Sequence, residues 1–509
     1  MKYFDRYAKI VYSIEEKRSI MEKVASALLK KVATYNISAV EIVKKAYLYA
    51  YEKHKNQFRE SGEAYITHPL AVANILADLH ADTATICAGL LHDTLEDTKT
   101  SEEELLNTFG PEITSLVKGV TNITNMDFYD KTTLNQVNLR KLLLSMNKDV
   151  RIIIIKLADR IHNMRTLEYK KDLRKQQLKS QETIKIFAPI AEHLGLYQTK
   201  LELEDLSFMF LAPEDYKQIK ESHAKIEQEF RIYQEEVEEK ISKVLQDNYI
   251  FSTIKFRIKN KYGVYKNIMN GETLENIHDF LIFTIILDNV DNCYLALKYI
   301  HELYKPNSWY FKDYIAQPKQ NHYESLHTTV FGPEDKLMQM QIRTPEMEQM
   351  AKYGITYYWH QFADNAKDIM QEAFNKQYPL MQSIILANRN ARSYADFIQI
   401  VESDVLGEKI PIYNNKGELI EITNGATPID YAYLNYSNVA NHLAAVIVNG
   451  VAVNFDYTIQ PYDKIRIITD INALGPDESW LEIAKTATAK QKIKEYLRRN
   501  TQRLTRSPW

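Results

Sequence analysis

Apolar residues recur at three- and four-residue spacing through roughly the first 225 positions, with few strictly alternating runs, so this stretch is predicted to be helical. In SEEELLNTFGPEITSLVKGVTNI, Ser101 is placed to cap a helix, and Gly110-Pro111 breaks it before another begins. Residues 214 to 247 form a long polar helix of connector type. The texture then changes. Short β-rich runs, FLIFTIIL, HTTVFG and KLMQMQIRT, lie between helical pieces and predict an α/β domain over about 240 to 375. A third change comes near 408, where KIPIYNNKGELIEI reads as a hairpin around Asn-Lys-Gly, followed by AAVIVNGVAVNF and DKIRIIT. That small β-rich unit ends near 470, and a basic helix, ATAKQKIKEYLRRNTQRL, follows it.

A chain of 509 residues is too long for one hydrophobic core, so several domains are expected. With 64 basic against 67 acidic residues, net charge gives no reason to expect a nucleic-acid or membrane partner. Cys87 and Cys293 stand far apart and follow no ligand spacing, which supports neither a disulfide framework nor a zinc finger. The first 20 residues are too charged for a signal peptide, and no run reaches the roughly 18 apolar residues of a membrane span. A cytoplasmic enzyme or regulator is the expectation.

The chemistry concentrates in AGLLHDTLEDT, Ala88 to Thr98. If TATICAGLLHDTLEDT is one helix, His92 and Glu96 are four apart, as are Asp93 and Asp97, and their side chains crowd one helix end. Acids so dense beside Leu90 and Leu91 are costly unless a cation compensates them. In VRIIIIKLADRIHNMRTL, Asp159 follows an apolar run and Asn163 faces the same way four residues on. His68, in YITHPL, falls where Pro69 starts a helix. Taken singly, each of these is more often a surface pair or a solvated turn. Together they make a mixed nitrogen and oxygen ligand set, which suits Mn²⁺, Fe²⁺ or Zn²⁺ better than Ca²⁺ or Mg²⁺.

The segments RESGEAYITHPLAVANILADLHAD, AGLLHDTLEDT and IKLADRIHNMRTL resemble the HD-type hydrolase domain of the RelA/SpoT family, which makes and destroys the alarmone (p)ppGpp. IHELYKPNSWYFKDYIAQPKQNHYESLHTTVFGP and QIRTPEMEQMAKYG resemble that family's synthetase domain, and NGATPIDYAYLNYS and IVNGVAVNFDYTIQPYDKIRIIT its TGS module. The resemblance implies an all-α HD domain over 1–200, a helical connector over 201–239 and an α/β nucleotidyltransferase-like domain over 240–375. It further implies a β-grasp-like TGS domain over 406–472, and the residue pattern adds a connector over 376–405 and a basic helix over 473–509. The longer members' Cys-rich and ACT regulatory parts have no counterpart here and are expected to be absent.

Carried over by position, the resemblance assigns the metal, most simply Mn²⁺, to His68, His92, Asp93 and Asp159. It assigns Glu96 and Asp97 as the catalytic acid pair and Arg59, Asn163 and Thr166 as substrate contacts. Glu60 departs from the basic residue that often follows the arginine. In the synthetase-like part the nucleotide positions fall on Arg257, Lys259, Asp279, Lys312, Lys319, Tyr323 and His327, which implies GDP or GTP binding there. Alternation along KLMQMQIRT puts Met338, Met340 and Ile342 on one face and Gln339, Gln341 and Arg343 on the other. The family's catalytic glutamate falls on Gln339, an arginine on Thr284 and a basic residue on Tyr310. A neutral amide neither takes a proton from a ribose hydroxyl nor holds Mg²⁺ as a carboxylate does. The expectation is a guanosine-3′,5′-bis(diphosphate) 3′-pyrophosphohydrolase acting in the stringent response, with a silent synthetase-like domain. The TGS module is expected to contact a regulatory protein, the ribosome or tRNA, with no membrane involved. The competing readings are a bifunctional synthetase/hydrolase, a nucleotide-sensing ribosome-associated regulator with a vestigial HD site, and an HD phosphohydrolase of other nucleotides.

Overall fold

The nine residues TATICAGLL, Thr83–Leu91, carry no charge, and a helix of that composition is stable only when covered on all sides. In the computed structural model of the chain every residue from Ala84 to Leu91 is buried. The structure describes residues 25–123, 131–319, 321–361, 366–377, 380–436, 439–473 and 475–504. The charged N-terminal stretch read above as no signal peptide lies outside the described residues. Two compact units result: residues 1–124 with 145–379, and residues 125–144 with 380–509.

The first unit begins with a helical domain. α1 (Val40–Lys53), α2 (Thr67–Asp78), α4 (Glu102–Val120) and α5 (Arg151–Arg165) pack around the buried helix α3 (Thr83–Leu91). Ser101 caps α4 as expected, its side chain accepting from the Glu104 N–H, and Gly110 (φ 80°) kinks the helix at Gly-Pro. Gly89 permits the close contact of α3 with α2, since a Cβ there would stand 2.5 Å from Leu76 Cδ1. α5 buries Ile152 to Ile155 and Leu157, and it opens on Arg151, only 1% exposed. That guanidinium meets Asp82 (2.9 Å), Asp149 (2.7 Å) and Glu112 (2.9 Å), so three acids compensate a buried cation.

The same unit holds a five-stranded mixed sheet. Its strands are β1 (Ser252–Ile258), β2 (Leu281–Leu287), β3 (Pro306–Asp313), β4 (Leu326–Phe331) and β5 (Leu337–Arg343), in the order β1-β2-β5-β4-β3. Only β2 and β5 run parallel, with Thr284 opposite Gln341 and Ile282 opposite Gln339. The alternation read from KLMQMQIRT is seen: Met338, Met340 and Ile342 lie in the core with Leu281, Phe283 and Ile285. The opposite face is covered as well, and Gln339, Gln341 and Arg343 are buried. The long helix Pro213–Asp247 is more than a connector, because its stripe Val237, Ile241 and Leu245 closes this core.

In the second unit the expected hairpin pairs β6 (Lys409–Tyr413) with β7 (Leu419–Thr423), turning at Gly417 with φ 82°. A three-stranded sheet of β8 (Leu443–Val448), β9 (Val451–Val453) and β10 (Ile465–Thr469) shares its core with the hairpin. The basic helix forms over Ala487–Leu504, its first N–H groups capped by Asp404. The helix Lys131–Ser145 joins this unit: Arg140 donates to Asn388 at 2.8 Å and lies over the Tyr394 and Phe397 rings. Among the described residues no helix is long and apolar enough to cross a membrane.

Candidate functional site

The stretch expected to be a single helix is not one. α3 ends at Leu91, His92 and Asp93 form a turn, and a separate four-residue helix spans Thr94–Asp97. At the interruption Thr94 donates its hydroxyl to the Leu91 carbonyl at 2.6 Å, while the N–H groups of Glu96 and Asp97 fold back on the Asp93 carbonyl. His92 (φ −58°, ψ −33°) and Asp93 (φ −92°, ψ −5°) keep right-handed helical dihedrals through the turn, and their side chains meet His68 of α2 and Asp159 of α5.

Three sequence-distant donors meet there. His68 at the start of α2, His92 after α3 and Asp159 on α5 each offer an atom within 4.8 Å of the other two, and all three are buried. His68 Nε2 lies 3.1 Å from Asp159 Oδ1, and His92 Nε2 lies 3.8 Å from it. Asp93 borders the group, its oxygens 3.2 Å from His92 Nε2 and 3.6 Å from His68 Nε2. The tautomer of His92 is set by its Nδ1, which donates to the Gly89 carbonyl at 2.8 Å. Its buried Nε2 finds no hydrogen-bond partner among the described residues and faces carboxylate oxygens. Carboxylates crowded on that nitrogen call for positive charge between the donors, a proton on the imidazole or a metal ion, and the mixed nitrogen and oxygen donor set fits a divalent metal.

The electrostatics agree. Burial pulls both imidazoles toward neutrality; at His68 burial prevails, whereas at His92 Asp93 and Asp159 outweigh it and push the pKa up to about 9. Burial opposes ionisation of Asp159, but Lys156 and the two histidines hold its carboxyl well below the usual range. The cluster favours positive charge among its donors.

The other positions assigned from the sequence converge on the same edge. Arg59 Nη2 donates to Thr166 Oγ1 at 3.1 Å and to Asn163 Oδ1 at 3.4 Å. Asn163 donates in turn to Asp159 Oδ1, as their spacing of four along α5 predicts. Glu60 pairs with Lys170 at 2.7 Å on the surface. Glu96 and Asp97 part company. The Glu96 carboxylate accepts from the N–H of Asn122 at 3.0 Å and from its Nδ2 at 3.3 Å, whereas Asp97 accepts from the Tyr65 hydroxyl at 2.7 Å.

Four residues here were not read from the sequence. Asn122 and Tyr65 carry no local signal. His162 had one, since it stands three residues after Asp159 on the same helical face. Its Nδ1 lies 2.8 Å from His68 Nδ1, and burial, His68 and Arg59 hold its pKa down to about 3, so it accepts a hydrogen bond as neutral imidazole. Lys156 contacts Asp159 Oδ2 at 2.8 Å.

The synthetase-like positions cluster less completely. Lys259 places its ammonium 2.6 and 2.7 Å from the two oxygens of Asp279. Tyr323 Oη lies 2.8 Å from His327 Nε2 and accepts from Arg343 at 3.0 Å, with Lys319 over the Tyr323 ring. Lys312 stands opposite His327 across β3 and β4, while Arg257 lies over the Tyr197 ring. Gln339 accepts from Gln341 at 2.8 Å, and Tyr310 stacks on His278 at 3.9 Å.

Three family models match the chain: an HD domain over residues 46–197, a region found in RelA / SpoT proteins over 256–365, and a TGS domain over 410–469. A GTP pyrophosphokinase of Myxococcus xanthus is 37% identical over 465 residues, covering 90% of this chain and 60% of that protein. A guanosine-3′,5′-bis(diphosphate) 3′-pyrophosphohydrolase of Aquifex aeolicus is 37% identical over 477 residues, with coverage of 92% and 66%. A protein of the same name from Haemophilus influenzae is 36% identical over 450 residues, with coverage of 88% and 66%. The chain spans 60% to 66% of the length of these relatives.

Proposed function

The chain belongs to the RelA/SpoT family, and on that premise we propose that it hydrolyses (p)ppGpp at the 3′ position, using Mn²⁺ held by His68, His92, Asp93 and Asp159. The observation that carries this reading is the buried His68, His92 and Asp159 group, with Arg59, Asn163 and Thr166 alongside it. A divalent cation at that position supplies Lewis acidity toward water and toward phosphoryl oxygens. Arg59, Asn163 and Thr166 bind and orient the guanosine part. Glu96, whose carboxylate accepts from the neutral donors of Asn122, takes the proton from the attacking water, and Asp97 orients that water. The water oxygen bonds to the phosphorus on ribose O3′, the P–O3′ bond breaks, and a proton ends on O3′. Pyrophosphate and GDP or GTP leave.

The synthetase-like domain is read as silent in pyrophosphoryl transfer. Gln339 offers no charge and is engaged by Gln341, Thr284 and Tyr310 bring no cation, and Lys259 already occupies the Asp279 carboxylate. Guanine-nucleotide binding through Tyr323 and the lysines is compatible with that state. In favour of the bifunctional reading stand the relatives named GTP pyrophosphokinase. The proposed boundaries are 1–200 for the hydrolase, 240–375 for the synthetase-like part and 406–472 for the TGS domain, which takes the contact with a regulatory protein, the ribosome or tRNA.

The test uses ppGpp labelled in its 3′ pyrophosphate and the full chain, with Mn²⁺ and with chelator. Release of labelled pyrophosphate in Mn²⁺ and none in chelator is expected. No release in either overturns the proposal.

A further inference from the structure

The turn between α1 and α2 folds back on itself: Arg59 N–H donates to the Glu63 carbonyl, Tyr65 N–H to the Gln57 carbonyl, and Gly62 takes φ 86° at the tip. One arm carries Arg59 and the other Tyr65. The Tyr65 ring stacks on His54 with centroids 4.7 Å apart and meets His68 edge-on at 6.2 Å. His54 Nδ1 lies 2.6 Å from Gln57 Oε1, and Gln57 Nε2 donates to the Asp97 carbonyl at 2.6 Å. The ring is therefore fixed by its neighbours, and its hydroxyl has little freedom.

That hydroxyl stands 2.7 Å from Asp93 Oδ2 and 2.7 Å from Asp97 Oδ2. One phenolic proton thus serves two acceptors, which ties the two carboxylates to a common point. Asp93 turns its other oxygen to His92, while Asp97 reaches the hydroxyl from the four-residue helix beyond the turn. Without a donor between them, two anions at this spacing repel and separate.

We propose that Tyr65 is a positioning residue for the hydrolysis, its hydroxyl locking the water-orienting Asp97 in register with the metal-side Asp93. The inference rests on the hydrolase reading above. Tyr65 touches neither substrate nor metal in this account and acts through Asp97.

The experiment compares the full chain with Tyr65→Phe, which keeps the ring and its stack on His54. With ppGpp and Mn²⁺, kcat should fall about tenfold to a hundredfold, the range typical of groups that orient a metal site's first layer. KM should stay within about twofold and bound Mn²⁺ should remain stoichiometric, since the four donors are untouched. An unchanged kcat, or loss of Mn²⁺ in proportion to activity, overturns the proposal. A second arm places Tyr65→Phe in an Asp97→Asn background, where the acceptor is neutral and the repulsion absent. If Tyr65 acts through Asp97, the double variant turns over as slowly as Asp97→Asn alone; a further loss of tenfold or so overturns it. An inactive parent chain counts against the hydrolase reading itself, whereas an active parent with an indifferent Tyr65→Phe counts only against this inference.

Discussion

Lys156 holds Oδ2 of Asp159 at 2.8 Å from three residues back on the same helix, so that Oδ1 alone faces His68 and His92. A cation on one oxygen of a buried carboxylate keeps it ionised and fixes its plane. The orientation of Oδ1 toward the two histidines is thereby set by the protein itself.

Asp159→Asn preserves shape and removes the charge, so bound Mn²⁺ should fall well below stoichiometric and hydrolysis should drop by more than about a hundredfold. Glu96→Gln should keep its metal and lose rate by about a hundredfold or more, because the amide no longer accepts a proton. Metal analysis beside turnover separates the two. Full metal and near-normal turnover in Asp159→Asn would remove the ligand assignment.

Arg151 opens α5, which carries Asp159, and pairs with Asp82, the residue that caps α3 ahead of His92. Arg151→Met strands Asp82, Asp149 and Glu112 without their cation and should cost about 3–5 kcal/mol in urea unfolding. A change below about 1 kcal/mol would show that the acids find solvent instead.

Lys179 supplies the pH-dependent case. Arg160 and burial together pull its pKa from the ordinary lysine range down to about 8, against the opposing pull of Asp159 and Glu182. Between that value and the unfolded lysine's pKa, the unfolded chain binds more protons, so this group's contribution to stability rises with pH above 8. The Tm advantage of Lys179→Gln over the parent should therefore be largest near pH 7 and shrink toward pH 10. An advantage independent of pH would contradict the assignment.

The donors His68, His92 and Asp159 were legible because each sits beside an apolar helical run that fixes where its side chain goes. The alternation in β5 and the hairpin at Gly417 were legible for the same reason, local periodicity and local turn chemistry. Asn122 was not, since it reaches Glu96 from 26 residues away and only the packing of α4 brings it there. The break after Leu91 escaped because the apolar spacing continues through it and His92 and Asp93 keep helical dihedrals there. Likewise the grouping of Lys131–Ser145 with residues beyond 380 depends on contacts such as Arg140 with Asn388, which no window along the chain contains.

That grouping bears on truncation. A chain ending near residue 375 loses Asn388, Tyr394 and Phe397, the partners of Arg140, and so uncovers the helix Lys131–Ser145. Hydrolysis should remain measurable with altered regulation, while amide exchange in 131–145 quickens. Unchanged protection there would argue that the helix is covered by something else.

The central claim is a working hydrolase joined to a domain that no longer transfers pyrophosphate, and it is tested most directly by assaying synthesis with hydrolysis disabled. The full chain carrying Asp159→Asn is incubated with ATP, GTP or GDP and Mg²⁺, beside the parent chain given ppGpp and Mn²⁺. The account predicts that the parent degrades ppGpp and that the variant accumulates none, with partial synthesis returning when Gln339→Glu and Thr284→Arg are added. Clear accumulation of ppGpp by the Asp159→Asn chain, with Gln339 still in place, would contradict it.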